Sequence, residues 1–314
     1  MTQQTPSKLQ NGAVVALLAM VCCFLWGSAF PCVKIGYAMF GIGSADTGSQ
    51  ILFAGARFFL AGVLTILIGS ALSRKVLVPA RSSWGMVLKL CLAQTVVQYL
   101  FFYMGLAHTS GVKVSIIVAS TVFFAILRSS LLYHDETLGG KKLLGCLLGF
   151  GGVVLVNLTG EGLTGGMHLN GEGFVLLSAL SYAASSVLMK RYSARENPVT
   201  LSGYQFMVGG LVMAAAGLMM GGELRGFTVQ SSLLLIYMAM ISAVAYSIWG
   251  ILLKHNPVGR VTVFGFMNPV FGVILSAVLL GEQNQAFTVQ GLAALILVCV
   301  GIFLVNKDFS QKEA

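Results

Sequence analysis

At 314 residues, with 57% hydrophobic residues, 9% charged residues and a mean hydropathy of +0.88, the chain carries too little polar surface to close a water-soluble globule. A formal net charge of +9 would suggest nucleic acid in a soluble protein, but here the basic residues sit in short loops between apolar runs, where they set orientation in a bilayer. Composition therefore selects an integral membrane protein with lipid as its surroundings and no nucleic-acid partner.

A short polar tail, 1–12, opens the chain. The apolar run behind it is too long for a signal-peptide core and lacks a small-residue cleavage site, so it is expected to be a retained first span. Crossing a bilayer takes about 20 apolar residues in a helix. Ten stretches meet or approach that length: 13–34, 51–72, 84–106, 112–133, 143–158, 173–190, 201–220, 233–253, 261–280 and 287–305. They are continuously apolar rather than alternating, which excludes barrel strands.

Landmarks recur along the chain. Cys91 to Glu136 lies on Tyr237 to Glu282 without a gap at an offset of 146, each copy being a long apolar helix, a polar turn and a second helix closed by a glutamate. Gly203-Tyr204-Gln205-Phe206 and Gly210 repeat Gly55-Ala56-Arg57-Phe58 and Gly62 at an offset of 148. Tyr182 and Lys190 repeat Trp26 and Lys34 at an offset of 156. The expected fold is all-α: a polytopic membrane protein of ten transmembrane helices in a 5+5 repeat. The first repeat covers 13–158, a linker 159–172, the second repeat 173–305, and a tail 306–314.

One set of loops and both termini hold Lys8, Arg74, Lys75, Arg81, Lys141, Lys142, Lys190, Arg191, Arg195, Lys254, Arg260, Lys307 and Lys312. The opposite set holds Arg225, with Lys34 and Lys113 at helix ends. The positive-inside rule then puts both termini in the cytoplasm. Since five is odd, the second half enters the membrane from the side opposite to the first, an inverted-topology repeat with a cavity where the halves meet.

Trp26-Gly27-Ser28-Ala29-Phe30 in the first span, Arg57-Phe58-Phe59 in the second, Asn268-Pro269 in the ninth, and the helix-closing Asp135-Glu136 and Gly281-Glu282 resemble the EamA-type branch of the drug/metabolite transporter superfamily. The resemblance extends over nearly the whole chain. It implies alternating-access transport, commonly export of amino acids or related metabolites, in the bacterial inner membrane. The family often carries proline where this chain has Phe123, so the fourth helix is expected to be straighter than the ninth.

Arg57 is the charge least able to reach water, about six residues inside the outer face; it either grips a substrate carboxylate or snorkels outward. Its counterpart Gln205 keeps a hydrogen-bonding group at the equivalent place. Trp26, Tyr103, Tyr182, Tyr246 and Trp249 are amphipathic rings inside the spans, able to stack on a substrate or hold an ammonium, and equally able to be plain aromatic core. Gln98 adds an amide. Pro31 and Pro269 are expected helix breaks that free carbonyls near Gly27 and Gly265, with Asn268 beside the second. A small-molecule substrate is the implied partner, and glycine-rich faces allow a homodimer without further support from the sequence.

All ten acidic residues lie in loops or at helix ends, so a mid-membrane carboxylate relay has no candidate. Six cysteines sit in apolar runs without a CxxC pair or histidines at ligand spacing, so neither a metal nor a cofactor is expected. An enzyme is disfavoured as well: Thr200 spoils a GxSG match before Ser202-Gly203, no membrane aspartate exists, and HExxH and Walker A patterns are missing. A lipophilic-cation exporter of the same fold remains the alternative.

Overall fold

A computed structural model of the chain describes residues 8–43, 45–106, 108, 117–131, 139–157, 168–280 and 289–313. Among the described residues there are helices and connections and no strand. In chain order the helices are α1 (Gly12–Phe40), α2 (Thr47–Ser73), α3 (Trp84–Leu90), α4 (Gln98–Leu106), α5 (Thr121–Leu131), α6 (Gly140–Asn157), α7 (Phe174–Tyr192), α8 (Pro198–Met219), α9 (Val229–His255), α10 (Val258–Thr262), α11 (Met267–Leu280) and α12 (Val289–Glu313). A π-helical segment, Cys91–Val97, joins α3 to α4, a second one, Leu169–Gly173, leads into α7, and a 3-10 turn, Val263–Phe266, joins α10 to α11. Six stretches among the described residues are long and apolar enough to cross a membrane: Gly12–Phe40, Thr47–Ser73, Arg81–Gly105, Leu169–Tyr192, Pro198–Met219 and Val229–His255. Large apolar side chains such as Leu17, Leu67, Leu92, Leu211 and Leu233 point outward, as a lipid-facing surface requires.

Helix ends follow local chemistry. The Asn11 side chain accepts from the N–H groups of Ala13 and Val14 at the start of α1, and Gly41, at φ +68°, closes it in the left-handed region that glycine enters freely. Asn197 caps α8 ahead of Pro198 at its first turn, and Thr228 and Ser231 form a reciprocal capping pair on α9. Asp46 caps α2 by accepting from Ser49 N–H at 3.0 Å, and the Ser49 hydroxyl and N–H hold its carboxyl below the usual aspartate range. A depressed folded value adds stability above the unfolded one and loses it as pH falls. The lost N-cap should lower thermal stability at neutral pH by about 1 kcal/mol in Asp46→Ala, and the difference from the parent should shrink as pH falls below about 4. Calorimetry at pH 7 and pH 3 checks both halves.

The closest packing joins α2 to α8. Gly48, Gly55 and Gly62 recur every seven residues on one helix, and Gly203, Gly210 and Gly217 on the other. A methyl at Gly55 would stand 2.4 Å from Ala214 N and 2.9 Å from Gly210 O; one at Gly62 would stand 2.5 Å from Met207 N and 2.6 Å from Gly203 O; one at Gly217 would stand 2.8 Å from Gly48 O. Rising numbers on one helix meet falling numbers on the other, so α2 and α8 run antiparallel. Around this pair α1 packs on α9 and α11, while α7 packs on α4 and α5. A methyl at Gly27 would stand 2.6 Å from Phe271 Cβ, which sets the α1–α11 approach. A third glycine contact, Gly145 against Gly301 O, ties α6 to α12.

Two sequence expectations need correction. Pro31 is not a break: α1 runs through it without interruption, because the neighbouring turns keep their bonds around the one missing N–H. Within the fourth span the helix is interrupted by a turn at Ser120, where the Ser120 and Thr121 hydroxyls donate to Ile117 O and Val118 O and compete with the backbone ladder. Lys142, counted with the loops, is instead buried in the first turn of α6. Glu172 stands at a helix end as expected, buried at the head of α7, where its carboxylate accepts from His168 N–H at 2.9 Å. Asp135-Glu136, Gly281-Glu282 and Lys113 fall outside the described residues.

Candidate functional site

Arg57 lies ten residues into α2, roughly 15 Å from its start, and is 4% exposed. Its Nη2 donates to Ser242 Oγ of α9 at 3.0 Å, its Nε has no acceptor, and no carboxylate among the described residues pairs with it. A guanidinium offers five N–H donors. Desolvating one without a counter-charge costs several kcal/mol. Its carbon stands 4.9 Å from the centre of the Phe58 ring.

From there rings run through the centre of the bundle. Phe58 packs on Tyr99 at 4.4 Å and on Phe206 at 5.4 Å, the Tyr99 and Tyr246 hydroxyls share a hydrogen bond of 3.0 Å, and Trp26 meets Tyr246 at 5.0 Å and Trp249 at 4.9 Å, edge to face. Both indole N–H groups, of Trp26 and Trp249, are buried without an acceptor. Tyr103 joins the same cluster, facing Tyr37 without a bond of normal geometry.

Beyond Trp249 the rings border a cavity of about 40 Å³ between α5, α7, α9 and the α10–α11 junction. Tyr182, Trp249, Thr121, Thr262, Gly265, Asn268 and Pro269 line it. At about 10–15 Å³ per water, it has room for about three waters, which suits a head group and not a whole metabolite. Thr262 Oγ1 and Asn268 Oδ1 are buried there without a partner. Pro269, third residue of α11 after the 3-10 turn, has no N–H to give to the Gly265 carbonyl, toward which the Met267 N–H points at short range.

Of the residues picked from sequence, Trp26, Tyr246 and Trp249 touch one another, Tyr182 and Asn268 meet Trp249 at the cavity, and Arg57 stands at the other end of the ring chain. Gln98 is half-buried with an unpartnered Oε1. Gln205 does not reach this centre: it is fully buried, accepting from Thr95 Oγ1 at 2.6 Å and donating to Gln94 Oε1 at 3.0 Å. Both its amide atoms are spent on the π-helical segment, whose Ala93 carbonyl also accepts from Ser181 Oγ at 2.6 Å. Lys190 donates to Asn256 O at 2.7 Å. Ser242, Thr121 and Thr262 were missed; small hydroxyls in apolar spans give no hydropathy signal.

A helical bundle with lipid-facing leucines, a buried cation and a polar, aromatic centre defines a multi-pass membrane protein. The EamA-like transporter family matches at residues 13–158 and again at 169–307, and the chain belongs to that family. Among its relatives, an uncharacterised transporter of Synechocystis is 29% identical across 97% of this chain and 93% of its own, and one of Bacillus subtilis 25% identical across 95% and 94%. A probable amino-acid metabolite efflux pump of Escherichia coli is 26% identical across 94% of each chain. A solved crystal structure matches with a TM-score of 0.78 over 96% of this chain and 99% of its own at 18% identity, a likeness of fold alone.

Proposed function

We propose that this transporter exports amino acids or closely related zwitterionic metabolites by alternating access, using ten spans in two five-helix halves of opposite orientation. The observation that carries the substrate class is Arg57, a buried guanidinium whose counter-charge must come from outside the described chain; a substrate carboxylate supplies it with bidentate geometry. Trp26, Tyr246 and Trp249 flank the substrate, with Tyr182 and Asn268 at its far end and Tyr103 and Gln98 beside the path. Gln205 stiffens the wall.

Several observations support the inverted halves. The family match falls in two segments of similar length. Positions related by the 148-residue offset exchange places across the α2–α8 seam: Gly55 meets Gly210 while Gly62 meets Gly203, and Phe58 stacks on its own counterpart Phe206. Such exchange is what a pseudo-two-fold axis between antiparallel equivalents produces. Basic loop residues favour cytoplasmic termini, in a bacterial inner membrane. The relative named for amino-acid metabolite efflux in Escherichia coli, and another in Salmonella typhimurium at 25% identity, agree with the substrate class.

The test is uptake by proteoliposomes. Purified protein reconstituted with an imposed amino-acid gradient should move labelled amino acids faster than empty vesicles, and lipophilic cations more slowly. Movement of lipophilic cations alone would favour the second reading, which rests on the ring chain. No solute flux under several gradients would sink both.

A further inference from the structure

The cavity beside Trp249 is rich in acceptors, although the Trp249 indole N–H and the Thr262 hydroxyl proton are also without partners. Thr262 Oγ1 and Asn268 Oδ1 are buried with no donor, and the Gly265 carbonyl has lost its helical partner to Pro269. The Thr121 hydroxyl already gives its proton to Val118 O, so what it has left to offer is lone pairs. Tyr182 and Trp249 supply the aromatic part of the lining. Among the described residues neither an acid nor a base lines the space. A buried acceptor without a donor is costly, so this arrangement is relieved by whatever brings N–H or O–H groups in.

We infer that this cavity is a primary-ammonium subsite, in which Thr262, Asn268 and the Gly265 carbonyl accept the three N–H bonds while Tyr182 and Trp249 present ring faces to the charge. Water brings two donors and no charge. A quaternary ammonium brings charge and no donor, and a guanidinium is too broad for room that takes about three waters. A primary ammonium alone uses both the oxygens and the rings. The inference rests on the reading of the chain as a carrier of zwitterions, and it assigns the cationic end of the substrate to the α10–α11 junction, away from Arg57.

Of the chain's three tryptophans, Trp26 and Trp249 are at the ring chain and Trp84 packs on Tyr204 elsewhere. In full-length Trp84→Phe protein in nanodiscs, emission therefore reports the site. Methylammonium should change it saturably, and tetramethylammonium should bind at least tenfold more weakly. Thr262→Val with Asn268→Leu should weaken methylammonium at least tenfold and leave acetate binding in place. Arg57→Ala should do the reverse. Should the double variant fail to fold, Asn268→Asp serves instead, with at least tenfold tighter methylammonium binding expected. The subsite is overturned if methylammonium gives no saturable change, if tetramethylammonium binds equally well, or if the cavity variants bind methylammonium as the parent does. Acetate binding that ignores Arg57→Ala overturns the carboxylate reading instead, and leaves the ammonium result standing.

Discussion

Arg57→Ala should cut transport of carboxylate-bearing substrates by roughly 30- to 150-fold, the worth of about 2–3 kcal/mol for a charge-assisted hydrogen bond, while changing cation transport by much less. It should also leave the folded protein as stable as the parent or more so. The two effects have opposite signs because the guanidinium is desolvated for a partner that the described residues do not contain: among them, one bond to Ser242 Oγ and a ring face are its compensation. Arg57→Lys keeps the charge and loses the fork, so carboxylate transport should recover only in part. Transport of a matched acid and amine, together with melting temperatures in detergent, decides the matter. A structural arginine would lower stability on removal and depress both substrates equally, and that pattern would end the binding role.

The second half of that expectation separates what hydropathy can reveal from what it cannot. Arg57 is conspicuous because a charge among apolar residues stands out whatever surrounds it. Ser242, its partner 185 positions away, does not stand out, since serine is common in packed spans. Helices that are apolar all round give no azimuth, so the sequence could not say which face of α8 turns inward. Gln205 shows the consequence: its place in the repeat matches Arg57, yet its amide is consumed by Thr95 and Gln94. The π-helical Cys91–Val97 was equally hidden, having neither proline nor glycine to mark it. Conversely, the cues that chain chemistry does mark, Pro269 with Asn268 and the aromatic positions, fall around one cavity and one ring chain. Pro31 is the instructive exception, for a proline in a well-packed helix need not break it.

Gly210→Ala and Gly55→Ala should each destabilise the protein by about 1–3 kcal/mol, and the pair together should abolish recovery of folded material. At both sites the new methyl meets backbone: Phe59 N at 2.3 Å for Gly210 and Ala214 N at 2.4 Å for Gly55. No rotamer change relieves such a contact, so the helices must separate along their whole length, because the same seam carries Gly48, Gly62 and Gly217. Gly203→Ala should be milder, since its nearest neighbour is the Ile66 Cδ1 atom, at 2.4 Å, on a side chain that can swing away. Gly85→Ala, with nothing within 4 Å, should be neutral or slightly stabilising. Size-exclusion recovery and melting temperature give the ranking, and Gly210→Ala behaving like Gly85→Ala would refute it. A seam this intolerant cannot slide during transport. On the proposed alternating-access reading, the α2–α8 pair would be the fixed part, and the change of access would come from α1, α9 and α11 moving against α4, α5 and α7. The ring chain and the cavity lie between those two groups, where such a motion would open them to one side or the other.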